Sequence, residues 1–410
     1  MGHTLSTPIT TKESVEGENE LLNFGACAMQ GWRSAMEDAH CAVLDLGSGE
    51  QTGFFGVFDG HGGPEVARYC SLHMAQQLIS MPSYRQGSLD KALRDVYLHI
   101  DELLPSDKLN EELKALSDVK TPPEVECEEE PNEGPSSKKD TSTQPGYERR
   151  MWSVADHTGC TAVVALLRGR QLWVANAGDS RCVVCHDGKA VAMTKDHMPG
   201  HPLEHERIVK AGGSVYGGRI KGRMSLSRAL GDFSYKQADH LPAAEQMIIA
   251  LPEIQTLELG PGHEFLLLAS DGIWEVLGNG EAVAFVREGL AAGQTPKQVC
   301  EALCDRCMST SDLSQPGPDY GYDNMTAIVV QLKEQHQRAD AGATGSDATK
   351  QLFNVSTAAT ASARQDRATF RPALTMLPKR SVALRSSLSP LLHGSCSGAC
   401  RSAFRRPFVP

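Results

Sequence analysis

The chain has 410 residues, 40% of them hydrophobic and 22% charged, the composition of a globular protein long enough for one large domain with appendages or for a few ordinary ones. Its formal net charge of -11 argues against a general nucleic-acid binder, whose footprint is basic, and suits cations instead. No run of about eighteen apolar residues is present to span a bilayer, and the 12 Cys follow no secretory leader pattern, so reduced thiols in a cytoplasmic compartment are expected.

Met1-Gly2-His3-Thr4-Leu5-Ser6 fits the pattern for N-myristoylation of Gly2. A single myristoyl chain gives only marginal, reversible membrane binding, so acylation would add a weak membrane-associated fraction to the cytoplasmic one. Residues 1–21 are read as a flexible terminus. From residue 22 to 333 the pattern is that of a mixed α/β domain. Strands are expected at Gly53 to Phe58, Thr161 to Leu167, Gln171 to Ala177, Cys182 to Cys185, Phe265 to Ala269 and Thr326 to Leu332. Helices are expected at Pro64 to Ser80, Leu89 to Leu104, Pro202 to Ala211, Glu281 to Ala292 and Thr295 to Met308. Ser117 to Arg150 is rich in Glu, Pro, Ser and Lys with few large apolar residues, and reads as a disordered acidic insertion. Residues 334–410 read as a basic low-complexity tail, either a solvated disordered extension or in contact with an acidic partner or with the chain's own acidic insert.

The chemistry concentrates where apolar strands end. Phe55-Gly56-Val57-Phe58-Asp59-Gly60-His61-Gly62-Gly63 runs a hydrophobic strand into an acidic turn, where glycines let backbone carbonyls approach a ligand. Phe265 to Ala269 leads in the same way into Ser270-Asp271-Gly272, and Asn176-Ala177-Gly178-Asp179 and Tyr322-Asp323-Asn324 repeat the arrangement. One Asp-Gly is most simply a turn, but repetition beside buried strands points to oxygen ligands for hard divalent cations such as Mg²⁺ or Mn²⁺.

Taken in order, Trp32-Arg33 with Met36-Glu37-Asp38, Asp59-Gly60-His61-Gly62-Gly63, Gly159-Cys160-Thr161-Ala162, Gly178-Asp179-Ser180-Arg181, Ser227-Arg228-Ala229-Leu230-Gly231-Asp232, Ser270-Asp271-Gly272-Ile273-Trp274 and Asp323-Asn324-Met325 resemble the signature motifs of the phosphatase 2C family. The resemblance covers residues 22 to 333 apart from the acidic insert. It implies an α+β fold, a central β-sandwich of two antiparallel sheets flanked by α-helices on both sides. The implied activity is metal-dependent hydrolysis of phosphoserine and phosphothreonine in proteins, by water held between two divalent cations and without a covalent phosphoenzyme. Residue by residue, it implies that Asp59 bridges the cations, that the Gly60 carbonyl binds one and that Asp271 and Asp323 bind the other. Glu37 and Asp38 are then outer carboxylates acting through water, and Asp179 belongs with a weaker third cation. Glu275 departs from the family's more usual Asp and puts the geometry of a third site in question. Phosphoproteins are the implied partners, and a monomer is expected, as for many family members.

Arg33 suits a phosphate, since its guanidinium offers parallel N–H donors, although pairing with Glu37 or Asp38 is the plainer alternative. His61 suits protonation of the leaving alkoxide, with metal ligation as the alternative. The stretch Pro202 to Tyr235, with Arg219, Lys221 and Arg223, resembles the family's flap beside the active site. Cys182-Val183-Val184-Cys185-His186 matches a haem-attachment pattern and Cys304-Asp305-Arg306-Cys307 is a second C-x-x-C, but alternation on a strand and placement on a helix make ordinary thiols the better reading. A catalytically silent phosphopeptide-binding module and a hydrolase of small phosphate esters are the other function classes. The intact set Asp59, Asp271 and Asp323 favours an enzyme over the first.

Overall fold

The structure, a computed structural model, describes residues 4–47, 49–117, 153–310 and 320–333. Gly2, nearly all of the acidic insert and the basic tail lie outside these residues. In the first half, β1 (Thr4–Glu18), β2 (Leu22–Arg33), β3 (Ala39–Val43), β4 (Thr52–Phe58) and β5 (Gly60–His61) precede α1 (Glu65–Ser80), α2 (Pro82–Arg85), α3 (Leu89–Leu103) and α4 (Asp107–Ala115). Then follow β6 (Gly159–Cys160), β7 (Ala162–Arg168), β8 (Gln171–Ala177), β9 (Arg181–His186), β10 (Lys189–Ala192), α5 (Pro202–Lys210), β11 (Val215–Tyr216), β12 (Arg219–Ile220) and β13 (Leu230–Gly231). The chain closes with β14 (Glu253–Glu258), β15 (His263–Ala269), α6 (Asp271–Trp274), α7 (Asn279–Ala291), α8 (Pro296–Cys307) and β16 (Met325–Leu332).

A six-stranded sheet, β1-β2-β16-β15-β9-β10, faces a five-stranded sheet, β14-β8-β7-β4-β3, and every pairing within them is antiparallel. Strand periodicity explains the layering. On β15, Leu266 and Leu268 enter the core between the sheets while Phe265, Leu267 and Ala269 enter the core under α7 and α8. On β7, Val163, Ala165 and Leu167 face the other sheet while Ala162, Val164 and Leu166 pack beneath α1 and α3. Both faces of each central strand are covered, which is why these strands read as unbroken apolar runs. The result is the expected sandwich, helices on sheet on sheet on helices. The same alternation sends Cys182 into the inter-sheet core and Cys185 into the opposite one, so the pair cannot close on one cofactor.

The expectation of a flexible terminus over residues 1–21 is corrected here: Thr4–Glu18 forms β1, paired along β2 from Thr4↔Arg33 to Glu18↔Asn23 with register shifts around Ile9. As an edge strand it is held by backbone pairing and by ion pairs of Lys12 with Asp305 (2.6 Å) and Glu18 with Lys333 (2.7 Å). Its side chains are mostly exposed or half-buried, so it has no hydrophobic alternation to announce it.

Between β10 and β14 the chain forms a flap from α5 and the β11–β12 hairpin around a small core of Ile208, Ile220, Ala229 and Ile248. Glu204 of α5 ties it down. Its carboxylate accepts from Arg228 Nη2 (2.6 Å), Arg207 Nη1 (2.7 Å) and Ser227 Oγ (2.7 Å). Burial opposes its charge, but these partners prevail and hold Glu204 at about 2, while burial lowers Arg207 and offsets part of that gain. The folded value lies below the ordinary 4.5, so the stabilisation is full above that value and is lost as pH falls towards about 2.

Glu204→Gln will therefore have a lower urea midpoint than the parent at neutral pH, and the gap will narrow as pH falls through that window. Deleting residues 1–18 will lower the thermal midpoint and, by baring the edge of β2, promote self-association detectable by light scattering.

Candidate metal centre and phosphate cavity

Four aspartates ring the cavity, contributed by both sheets. Asp59 follows β4 and Asp179 follows β8 in the five-stranded sheet, whereas Asp271 follows β15 and Asp323 precedes β16 in the six-stranded sheet. Carboxylate oxygens of Asp59, Asp179 and Asp271 lie within 4.8 Å of one another, and all three residues are half-buried. The cavity, of about 330 Å³, is also lined by Arg33, Glu37, Gly60 and His61, and by Arg219 and Arg223 of the flap. Of the residues expected to form the site, all but Asp38 line it directly, and Asp38 lies buried behind the wall.

Hydrogen bonds tie together the strand ends and loops that carry these residues. The Asp59 N–H donates to Thr161 Oγ1 (3.3 Å), the Thr161 N–H donates back to the Asp59 carbonyl (2.9 Å), and Thr161 shares a hydroxyl contact of 2.8 Å with Ser180 beside Asp179. Asp38 accepts from Ser270 Oγ (2.8 Å), which ties the β2–β3 connection to the residue before Asp271. Asn324 accepts from the Glu37 N–H (2.9 Å) and donates through Nδ2 to the carbonyls of Gln30 (2.8 Å) and Ala35 (3.0 Å), stitching the loop that carries Arg33 and Glu37 to the start of β16. A side chain at position 60 would meet the Glu37 carbonyl at 2.3 Å, so only glycine lets these two backbones pass.

The electrostatics are those of anions without enough counter-charge. Burial, then Asp271, Asp38, Asp179 and Asp323, push Asp59 well above the usual carboxylate range; Asp271 is raised in the same way by burial and by Asp179 and Asp323. Burial and Asp196 bring Asp179 to about 6, and burial brings Asp38 to about 7. Glu275, at the end of α6, adds to the repulsion felt by Asp179 and Asp271. The group of three carboxylates, all oxygen donors and multiply negative, fits a hard divalent cation.

Asp323 stands outside the three-carboxylate group and forms an ion pair with Arg33, so Arg33 pairs with neither Glu37 nor Asp38. Asp179 stands in the cluster beside Asp59 and Asp271. His61 Nε2 lies 2.6 Å from Asp232 Oδ2; burial disfavours its charged form, but the Asp232 charge and hydrogen bond outweigh this and leave its pKa raised. Asp232, Asn324, Thr161 and Ser270 were visible only as motif members, and nothing in their spacing revealed their partners.

Carboxylate oxygens crowded at the floor and guanidinium donors on the wall suit a phosphoryl group held against hard cations, and the class this defines is a metal-dependent phosphatase. The family model described as Protein phosphatase 2C matches residues 22–119 and 134–312. Probable protein phosphatase 2C 21 of Arabidopsis thaliana is 41% identical over 82% of this chain and 93% of its own length. Protein phosphatase 2C homolog 2 of Schizosaccharomyces pombe is 38% identical over 80% of this chain and 78% of its own. The crystal structure of serine-threonine phosphatase 2C from Toxoplasma gondii superposes with a TM-score of 0.58 at 22% identity, covering 81% of this chain and 100% of that one, a likeness of fold. The chain belongs to the protein phosphatase 2C family. It is a metal-dependent protein serine/threonine phosphatase, and phosphoproteins are its substrates.

The crowding sets a stability test. Chelating divalent cations will lower the thermal midpoint, and adding Mg²⁺ or Mn²⁺ will raise it with concentration. Asp271→Asn, which removes one of the repelling groups, will be more stable than the parent by about 1 kcal/mol or more in chelator and will lose most of the cation response.

Proposed function

We propose that the cavity works with two Mg²⁺ or Mn²⁺ ions held by Asp59, the Gly60 carbonyl, Asp271 and Asp323, with Glu37 and Asp38 acting through water and Asp179 serving a weaker third ion. The observation that carries this reading is the group of three carboxylates within 4.8 Å at the cavity floor, its charges raised in energy by burial and mutual repulsion. Cations bound there supply neutralisation of phosphoryl charge and water that ionises near neutral pH.

The chain's own residues do the rest. Arg33 keeps its guanidinium at the cavity wall through Asp323 and turns its remaining N–H donors towards phosphoryl oxygens, holding the ester in line for attack by water. His61, which also lines the cavity, gives a proton to the serine or threonine oxygen as it leaves. No phosphoenzyme forms. The described cysteines are buried, and burial pushes the thiol of Cys160, whose residue pairs with Gly60, well above its ordinary value. Those free thiols also support a cytoplasmic, reducing location. A monomer and weak membrane association through an acylated Gly2 complete the proposal.

Phosphate release from a phosphothreonine peptide will vanish in EDTA and return with Mg²⁺ or Mn²⁺. It will fall at least about 100-fold in Asp59→Asn and Asp271→Asn and survive thiol alkylation. A folded protein that binds the peptide but releases no phosphate with any metal would overturn the enzyme mechanism in favour of a binding module.

A further inference from the structure

A three-stranded sheet accounts for an interaction that the proposed mechanism leaves unused. Its order is β13-β6-β5, so Gly159 of β6 lies between His61 of β5 and Gly231 of β13, paired to both. The side chains of His61 and of Asp232, the residue after β13, meet over that central glycine. A Cβ at position 159 would stand 2.4 Å from Asp232 Oδ2 and 2.8 Å from His61 Nε2, so the space above Gly159 is filled by this contact.

We propose that Asp232 is the positioning residue for His61, fixing the imidazole through Nε2 so that Nδ1 is the nitrogen that meets the leaving oxygen. The inference rests on the reading of His61 as proton donor. A carboxylate only accepts, so in the 2.6 Å contact Nε2–H donates to Asp232 Oδ2. With Nε2 engaged by Asp232, Nδ1 is the ring nitrogen left for the leaving oxygen in the cavity that His61 lines. As the P–O bond of the ester breaks, the alkoxide oxygen forms its O–H bond with the proton from Nδ1. The ring is left neutral with Nε2–H still on Asp232, and solvent returns the proton to Nδ1.

Asp232 is itself held as a support should be. It is 2% exposed, its N–H donates to the Thr158 carbonyl (3.0 Å), and its backbone is left-handed at φ 55°, a region Asp tolerates better than most residues. The residue before it is tied to α3, because the Gly231 N–H donates to Asp101 Oδ1 (2.9 Å), and Lys236 Nζ locks both oxygens of Asp101 at 2.7 and 2.9 Å. The support therefore reaches from the cavity wall into the helical layer.

The test separates leaving groups. Phosphothreonine releases an alkoxide that needs a proton, whereas p-nitrophenyl phosphate releases a phenolate that does not. With Mn²⁺ present, His61→Gln and Asp232→Asn will each lower kcat on the phosphothreonine peptide at least about 30-fold more than on p-nitrophenyl phosphate, and will combine without further change in that ratio. If Asp232→Asn leaves the ratio of the two substrates at the wild-type value while His61→Gln changes it, the positioning role is overturned and the role of His61 stands. If His61→Gln does not change the ratio either, both readings fall. Should Asp232→Asn not fold, Gly159→Ala, which wedges a methyl between the two groups, must shift the ratio in the same direction. In the wild-type protein a far-downfield imidazole N–H proton resonance, absent in His61→Gln, is also required, and failure of either overturns the inference.

Discussion

Carboxylates that repel one another, held half-buried at the end of two packed sheets, are the constraint from which the rest of this structure follows. Asp59 and Asp179 hang from one sheet and Asp271 and Asp323 from the other, so their separation is set by the inter-sheet core of Phe55, Val57, Val163, Leu266, Leu268 and Ile328, among others. Left to themselves the charges would spread the sheets or take up protons. Close packing relaxes little, which leaves proton uptake or a bound cation as the ways to satisfy them. The fold thus serves the site by being stiff, and the hydroxyls of Thr161, Ser180 and Ser270 lock together the strand ends that carry the carboxylates.

The parts of the fold legible in the sequence were those where burial is two-sided. The apolar run Phe265 to Ala269 and its counterpart Thr161 to Leu167 declared themselves because each successive residue enters one core or the other. β1 and β14 did not, because an edge strand draws its hold from backbone pairing, and their exposed residues follow no helical or strand period. The site divides in the same way. Asp59, Asp271 and Asp323 were legible from the apolar strands beside them, but the pairing of Arg33 with Asp323 joins residues 290 positions apart and leaves no local trace. Asn324, which binds the Arg33 loop through three hydrogen bonds, shows only as a polar residue after an aspartate.

The other walls of the cavity come from elements that contribute little to the main cores. The flap brings Arg219 and Arg223 to the rim above an acidic floor, so an entering phosphoryl group passes positive side chains before it reaches the carboxylates. The three-stranded sheet brings His61 to the opposite requirement, a proton at the leaving oxygen. Both are anchored by buried ion pairs, Glu204 with Arg228 for the flap and Asp101 with Lys236 beside Asp232, and in each the charge is satisfied by several donors or acceptors.

The pairing of Thr4 with Arg33 has a practical side. Cross-strand neighbours stand about 5 Å apart, and two further residues of chain reach no more than about 7 Å, so whatever is joined at Gly2 is leashed within a short radius of the arginine that lines the cavity. A purification tag fused at this end would crowd the entrance to the cavity. An anchor at the same end would hold the catalytic mouth close to the surface that carries it and select substrates by their height above that surface.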